Sequence, residues 1–343
     1  MVRTKGSAKI PGVITERLIM KKYILKRLIS IIPMLLGISI ISFCVIHLAP
    51  GSPVDSATTL NPKVSFEARE KLVIQYGLDK PLYIQYLNWL KKITTFDFGR
   101  SYIDGQKVIN KIASRIPITL LINILSISIV LLIAIPIGVM SAVREGSFCD
   151  RFLTVFVFVG FAIPGFWLAL MLMSFFGITL GWLPIQGITS FDFDTLSISG
   201  KFLDIGRHLV MPVFVSCFGA LAAMSRYMRS SMLEVLHKDY IKTARAKGLS
   251  ENRVVYKHAL KNALLPIITI LGLSVPGLIG GSVIVESVFG IPGMGRLFFE
   301  SVMGRDYPVI MAVLVIGALL TLLGNFLADI SYLFVDPRIR YEK

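Results

Sequence analysis

Residues 116–140 read IPITLLINILSISIVLLIAIPIGVM, a continuous apolar run that contains no charged side chain. A helix of about 20 apolar residues crosses the roughly 30 Å hydrocarbon core of a bilayer. Five further runs are similarly apolar, so we expect six spans, at 28–48, 116–140, 152–180, 209–228, 264–285 and 309–333. The third run exceeds one crossing, which indicates a tilted helix or a re-entrant part. The chain is therefore predicted to be an all-α, polytopic membrane protein.

The distribution of lysine and arginine predicts the orientation of these spans. The N-terminal segment 1–27 and the segment 229–262 each contain eight basic residues, whereas 181–208 and 286–308 contain two each. The positive-inside rule then places both termini and segments 141–151 and 229–262 in the cytoplasm. We expect a cytoplasmic tail at 1–27, the first transmembrane helix at 28–48, an external region at 49–115, a five-helix core at 116–333 and a cytoplasmic tail at 334–343.

The net charge of +15 raises the question of a nucleic-acid partner. About half of the positive residues are explained by membrane topology and by contact with anionic lipid headgroups. We therefore expect membrane lipid, and no nucleic acid, as a partner. The three cysteines and four histidines are scattered along the chain, and neither a catalytic triad nor a nucleotide-binding loop is recognisable. No catalytic residue, metal site or cofactor is predicted for this chain.

Ionisable residues are almost missing from the predicted spans. A proton- or sodium-driven transporter would place carboxylates near the middle of the bilayer. The spans are therefore expected to form a passive wall, and another protein is expected to supply the driving force. A secondary transporter and a membrane scaffold or receptor remain as alternative interpretations, and co-purification of an ATPase would separate them from an ATP-driven system.

The cytoplasmic segment 229–262 contains a candidate docking helix at 240–249, YIKTARAKGL, which a glycine ends. Ile241, Ala244, Gly248 and Leu249 share one face of small and apolar side chains. We predict that a partner protein grips this face.

A second feature is a group of helix-breaking and small residues in the fifth span, Pro276, Gly277, Gly280 and Gly281. It predicts either a gate or seam, or ordinary tight helix packing.

The segment KTARAKG at 242–248, followed by ALLP at 263–266, resembles the cytoplasmic coupling loop (EAA-type motif) of ABC importer permeases. The dipeptide, oligopeptide and nickel branch of that family is the most similar. Further matching segments are YILKRL (23–28), HLAPG (47–51), YGLDKPL (76–82), FGRS (98–101), LPIQG (183–187), HLVMP (208–212), ESVFGIPGMG (286–295) and VDPR (335–338). Lys242 and Thr243 replace a consensus glutamate and alanine, and Lys261 stands where the broader consensus has proline. These departures fit the peptide branch.

The resemblance implies a type I ABC importer permease fold and a role as the first, long-loop permease of a pair. It implies a second permease, two ATP-binding subunits that hold ATP and Mg²⁺, an external substrate-binding protein and a di- or oligopeptide substrate. Nickel or another small solute is the alternative within the family. The residues expected to couple to the ATPase are Glu234, Tyr240, Ile241, Thr243, Ala244, Arg245, Ala246, Gly248 and Leu249. The location would be the plasma (inner) membrane of a bacterium or archaeon.

Overall fold

The computed structural model of the chain describes residues 11–54, 66–275 and 277–335, and these residues are organised as helices and connecting turns. The helices are numbered here in chain order. They are α1 (Pro11–Leu48), α2 (Phe66–Tyr76), α3 (Leu82–Ile93), α4 (Val108–Val143), α5 (Phe148–Ala162), α6 (Gly165–Leu172, continued by π-helical turns over Met173–Thr179), α7 (Ile198–Leu236), α8 (Asp239–Ala246), α9 (Glu251–Ser274, π-helical over Val254–Ala259), α10 (Gly277–Gly280), α11 (Val283–Val288), α12 (Met294–Met303) and α13 (Tyr307–Val335).

Five helices in the described residues are long and apolar enough to cross a membrane, and a bent pair raises that number to six. The predicted all-α, multi-pass class is confirmed. Helix α4 begins at Val108, before the predicted boundary at 116, because its first turns are amphipathic. Val108 and Ile112 are buried there against Leu297 of α12 and Val309 of α13. Hydrophobicity alone does not detect such a start.

The third predicted span, 152–180, consists of two helices that meet at an angle of 94°. The bend lies at Ile163 and Pro164, where Ile163 has an extended backbone conformation. Proline disfavours a helical conformation in the residue before it and offers no amide hydrogen, so the helix stops there. The excess length of this run therefore corresponds to a sharp bend, which makes it either a broken span or a re-entrant loop.

The fifth predicted span, 264–285, is wrong as a single helix. Helix α9 begins earlier, at Glu251, and ends at Ser274, and the chain continues through the short helices α10 and α11. Gly281 separates these two helices and has a positive φ of +69°. That left-handed conformation is incompatible with continuing a right-handed helix.

The core lies between α4 and α7, which pack along much of their length. Their buried side chains form one cluster with residues from α6, α8, α9 and α11. Helix α1 lies to one side, where Phe43 and Ile46 contact Ile310 and Met311 of α13. Large apolar side chains on the outer faces of the long helices are exposed, as expected for a surface that faces lipid.

The region 49–115, which is predicted to be external, contains two short helices, α2 and α3. A buried carboxylate, Asp306, ties this region to the start of α13. Its oxygens accept hydrogen bonds from the Ser101 hydroxyl and, at 2.9 Å, from the Tyr102 amide. Burial raises the pKa of Asp306, and these hydrogen bonds oppose that rise. Asp306 is thus the anchor of the external region.

Candidate functional site

Helix α8 is the short helix that was predicted within the basic segment 229–262. Specific residues explain where it begins and where it ends. Asp239 lies in the first turn, where a carboxylate interacts favourably with the positive end of the helix dipole. At the other end Gly248 has a φ of +76°. The Gly248 amide bonds to the Arg245 carbonyl at 2.9 Å and the Leu249 amide to the Ala244 carbonyl at 3.4 Å. This pattern is a Schellman motif, for which glycine is the preferred residue.

Most of the α8 face that was predicted to contact a partner is buried within the chain itself. Ile241 is 0% exposed and Ala244 is also buried, and both belong to the core cluster that includes Val254 and Val255 of α9. Leu249 is partly buried against the same cluster. These apolar residues therefore hold α8 onto its own chain, and they are not available for a partner to grip.

Polar contacts fix α8 against the start of α9. The Asn262 side-chain amide donates to the Tyr240 hydroxyl at 2.8 Å. Arg245 forms a two-point ion pair with Glu251, through Nε to Oε2 at 3.1 Å and through its terminal nitrogen to Oε1 at 2.6 Å. The predicted coupling residues Tyr240 and Arg245 therefore both make contacts within the chain, although each remains exposed to solvent.

The opposite face of α8 is open to solvent and basic. Thr243, Ala246 and Gly248 are exposed, as are the two lysines on the helix and its cap, Lys242 and Lys247. Glu234, in the last turn of α7, is also exposed and pairs with Lys238 at 3.0 Å. Six of the nine predicted coupling residues are thus exposed: Glu234, Tyr240, Thr243, Arg245, Ala246 and Gly248. We call Lys242, Thr243, Ala246, Lys247 and Gly248 the outer face of α8.

Helix α8 is connected rigidly to two long helices. A short turn joins it to α7, and its buried side chains pack on α9. The Ser231 hydroxyl of α7 donates to the Ala263 carbonyl of α9 at 2.8 Å, which closes the triangle formed by the three helices. Helix α8 is therefore in direct contact with both α7 and α9.

The predicted seam in the fifth span coincides with the break after α9. Pro276 lies outside the described residues. Gly277 and Gly280 have no atom of the described residues within 4 Å of the position a Cβ would occupy, so neither packs tightly against the described part of this chain. Asn123 of α4 donates to the carbonyls of Gly277 at 3.3 Å and Leu278 at 2.8 Å. A side-chain amide thus partners carbonyls of the interrupted helix, as a membrane environment requires.

Gly281 and Gly293 allow the Glu286 side chain to approach the backbone closely. A Cβ on Gly281 would lie 2.4 Å from Glu286 Oε1, and one on Gly293 would lie 2.4 Å from the Glu286 carboxyl carbon. Glu286 is only 2% exposed. It accepts hydrogen bonds from the Thr119 hydroxyl at 3.0 Å and the Arg296 amide at 2.9 Å. This buried carboxylate joins α4, α11 and α12, and the sequence analysis did not single it out.

A cavity of about 940 Å³ opens at the end of the bundle opposite α8. It lies between the segment 184–192 and α12, and its lining includes the buried His208. Arg296 and Glu300, which pair at 2.7 Å, contribute both charges to its wall. Its volume falls in the range of sites that enclose a small organic molecule.

Most of the chain matches known transport proteins. A model of the family described as binding-protein-dependent transport system inner membrane component matches residues 134–341. A model of the N-terminal part of such membrane components matches residues 20–123. The oligopeptide transport system permease protein AppB of Bacillus subtilis is 47% identical over 323 residues, which cover 94% of this chain and 100% of the relative.

Two further relatives cover 94% of this chain and 100% of their own length at 37% identity. They are the dipeptide transport system permease protein DppB of Alkalihalophilus pseudofirmus and the glutathione transport system permease protein GsiC of Salmonella typhimurium. An inward-facing structure of the MetNI methionine ABC transporter aligns with a TM-score of 0.52 and 21% identity, covering 66% of this chain and 97% of that one. That similarity confirms the permease fold. The chain therefore belongs to the family of binding-protein-dependent transport system inner membrane components.

Proposed function

We propose that this chain is the membrane-spanning permease subunit of an ATP-driven importer that takes up di- and oligopeptides. The observation that carries the proposal is the basic outer face of α8, presented to solvent on a helix fixed to both α7 and α9. Full-length relatives named as permeases for oligopeptides, dipeptides and glutathione support peptide in preference to nickel.

The proposed assembly contains a second permease, two ATP-binding subunits and an external substrate-binding protein. ATP and Mg²⁺ act on the ATP-binding subunits, and this chain converts their movement into a change of the transmembrane helices. The positive-inside distribution supports a cytoplasmic position for α8 and for both termini. The substrate-binding protein then delivers peptide at the opposite side, where the 940 Å³ cavity opens.

In the proposed cycle, closure of the ATP-binding subunits displaces α8 as a rigid body. The buried contacts of Ile241 transmit this displacement to α9. The short turn between α7 and α8 transmits it to α7. The break after Ser274 allows α9 to move relative to α10, which the Asn123 amide holds on α4. Such hinge-like elements convert a small displacement at one site into opening at another.

A bulky substitution on the outer face of α8 tests this proposal. Ala246→Trp places a large side chain where the ATP-binding subunit would dock, while Asn252→Trp places the same side chain on the exposed start of α9. We expect Ala246→Trp to reduce co-purification of the ATPase and peptide uptake, with the hydrolysis rate of the isolated ATPase unchanged. Asn252→Trp should retain both. Normal uptake by the Ala246→Trp variant would show that α8 does not couple.

A further inference from the structure

A small cavity of about 180 Å³ lies between α4, α5 and α7, at the end of the bundle nearer α8. Thr154, Ser225, Arg226 and Arg229 contribute polar groups to it, and Val157 and Phe158 contribute apolar walls. The cavity is smaller than the roughly 300–1,000 Å³ of sites that enclose a whole organic ligand. It therefore suits one chemical group of a larger molecule.

The two arginines of this cavity differ in their partners. Arg229 is engaged by Asp150, through Nε to Oδ1 at 2.7 Å and through its terminal nitrogen to Oδ2 at 2.9 Å. The Asp150 carboxylate also accepts from the Ser141 hydroxyl and, at 2.9 Å, from the Gly146 amide. Arg226, one turn earlier on α7, has neither a hydrogen bond nor an ion pair to any described residue. It thus contributes an uncompensated positive charge at the mouth of the cavity.

The cavity also contains a buried polar atom that lacks a partner. Ser225 is 5% exposed, and its hydroxyl forms no hydrogen bond within the described part of the chain. Burying an unsatisfied hydroxyl costs free energy, so such groups are usually paired with protein, water or ligand. Ser225 and Arg226 together provide a donor hydroxyl and a guanidinium, which is the combination that binds a phosphate oxygen.

The position of the cavity relative to the bilayer identifies the source of the phosphate. Ser141 lies two residues before the end of α4, and a short turn leads from there into α5, so the cavity lies at the level of the lipid headgroups. Phe158 is 60% exposed on α5, and Val155 and Phe161 on the same helix are exposed as well. This apolar surface continues from the cavity toward the bilayer interior, where acyl chains would lie.

We propose that this cavity binds the phosphate of an anionic phospholipid, with Arg226 and Ser225 as its ligands and the lipid tails along α5. Arg229 borders the site, and its charge is compensated by Asp150 and, at 3.7 Å, by Glu145. Basic pockets between transmembrane helices on the cytoplasmic side are suited to such headgroups. The inference is independent of the transported substrate, because it rests on the cavity between α4, α5 and α7 and on its polar groups.

The test uses the full chain, purified in detergent with the subunits that accompany it, and titrated with phosphatidylglycerol or phosphatidylcholine. Bound lipid is counted by native mass spectrometry. One arginine contact at the membrane surface accounts for about a fivefold change in affinity. We expect Arg226→Gln to weaken phosphatidylglycerol binding by about that factor and Arg226→Lys to restore most of it. Arg151→Gln, which removes an exposed arginine outside the cavity, is the matched control and should bind as the unaltered chain does.

Three results would overturn the proposal. Equal phosphatidylglycerol binding by the Arg226→Gln variant and the unaltered chain would exclude Arg226 as a ligand. Equally tight binding of phosphatidylcholine, or displacement of the lipid by inorganic phosphate, would exclude an anionic lipid as the specific occupant. Loss of the second permease from the Arg226→Gln complex, with the lipid count unchanged, would show that a protein helix fills the site.

Discussion

Replacing Ile241 with alanine should detach α8 from the transmembrane helices without unfolding them. Ile241 is fully buried in the cluster that joins α8 to Val254 and Val255 of α9. Helix α8 has eight residues, whereas isolated helices shorter than about 12–15 residues are marginal in water. Its order therefore depends on this contact more than on its own helix propensity.

The size of the effect follows from the burial of Ile241. Truncating a fully buried isoleucine to alanine costs about 2–5 kcal/mol, since apolar contacts are lost and a cavity remains. A loss of about 3 kcal/mol shifts the equilibrium between docked and undocked α8 by about 150-fold. Ile241→Val removes one methylene group and costs about 0.5–1.5 kcal/mol, so it should shift the same equilibrium by roughly tenfold or less.

Two measurements on the assembled transporter separate undocking from general instability. Hydrogen exchange of residues 239–249 should become faster in the Ile241→Ala variant, whereas exchange in α4 and α7 should stay slow. Peptide uptake should fall, and stimulation of the ATPase by the loaded binding protein should fall with it. Lys242→Ala, which alters an exposed residue of the same helix, is the control for hydrogen exchange and should leave α8 protected.

The reasoning would be refuted if Ile241→Ala left the exchange of residues 239–249 unchanged and supported normal uptake. In that case another contact, such as the Arg245 to Glu251 ion pair, would be sufficient to hold α8. Faster exchange throughout the bundle would also refute the reasoning, because α8 would then not undock independently of the other helices.

Two further predictions concern the transmembrane seam and the external region. Asn123→Ala removes the amide that binds the Gly277 and Leu278 carbonyls, at a cost of about 1–2 kcal/mol. It should speed hydrogen exchange of residues 277–281 and lower uptake, whereas Ser128→Ala, at an exposed position of α4, should do neither; unchanged exchange would contradict the role of Asn123. Asp306→Asn should alter the pH dependence of stability, measured by thermal unfolding. Because the pKa of Asp306 is raised above its ordinary 3.8, its contribution is fully present below 3.8 and is lost as pH rises through the raised pKa. The unaltered chain should therefore lose stability relative to Asp306→Asn over that interval, and parallel profiles would contradict the assignment.

Local sequence signals predicted the elements whose causes are local. The glycine at 248 was predicted to end the docking helix, and it ends α8 through a Schellman motif. Apolar runs located the long helices, because the period and length of hydrophobic residues are read directly from the chain. The bend at Pro164 was signalled by the excess length of the third run, although its angle was not.

The apolar face of α8 packs on its own chain, whereas a partner protein was predicted to cover it. Periodicity shows that Ile241 and Ala244 share a face, but it contains no information on whether that face meets the same chain or another. The neighbour that covers them, around Val254 and Val255, lies only about ten residues further on. It was concealed because this stretch is π-helical and does not follow the usual helical spacing.

Glu286 shows why buried polar groups escaped prediction. A glutamate after an apolar run reads as a helix end at the membrane surface, where its charge would be solvated. It is buried because Gly281 and Gly293, on either side of α11, leave space for its carboxylate. The Thr119 hydroxyl and the Arg296 amide donate hydrogen bonds to that carboxylate. Those four partners are up to 167 residues away in the chain, and they meet only after α4, α11 and α12 have packed.

The same dependence on assembled helices applies to the lipid site. Arg226 lies at the end of a predicted span, and only the packing of α4, α5 and α7 places it in one cavity with an unsatisfied hydroxyl.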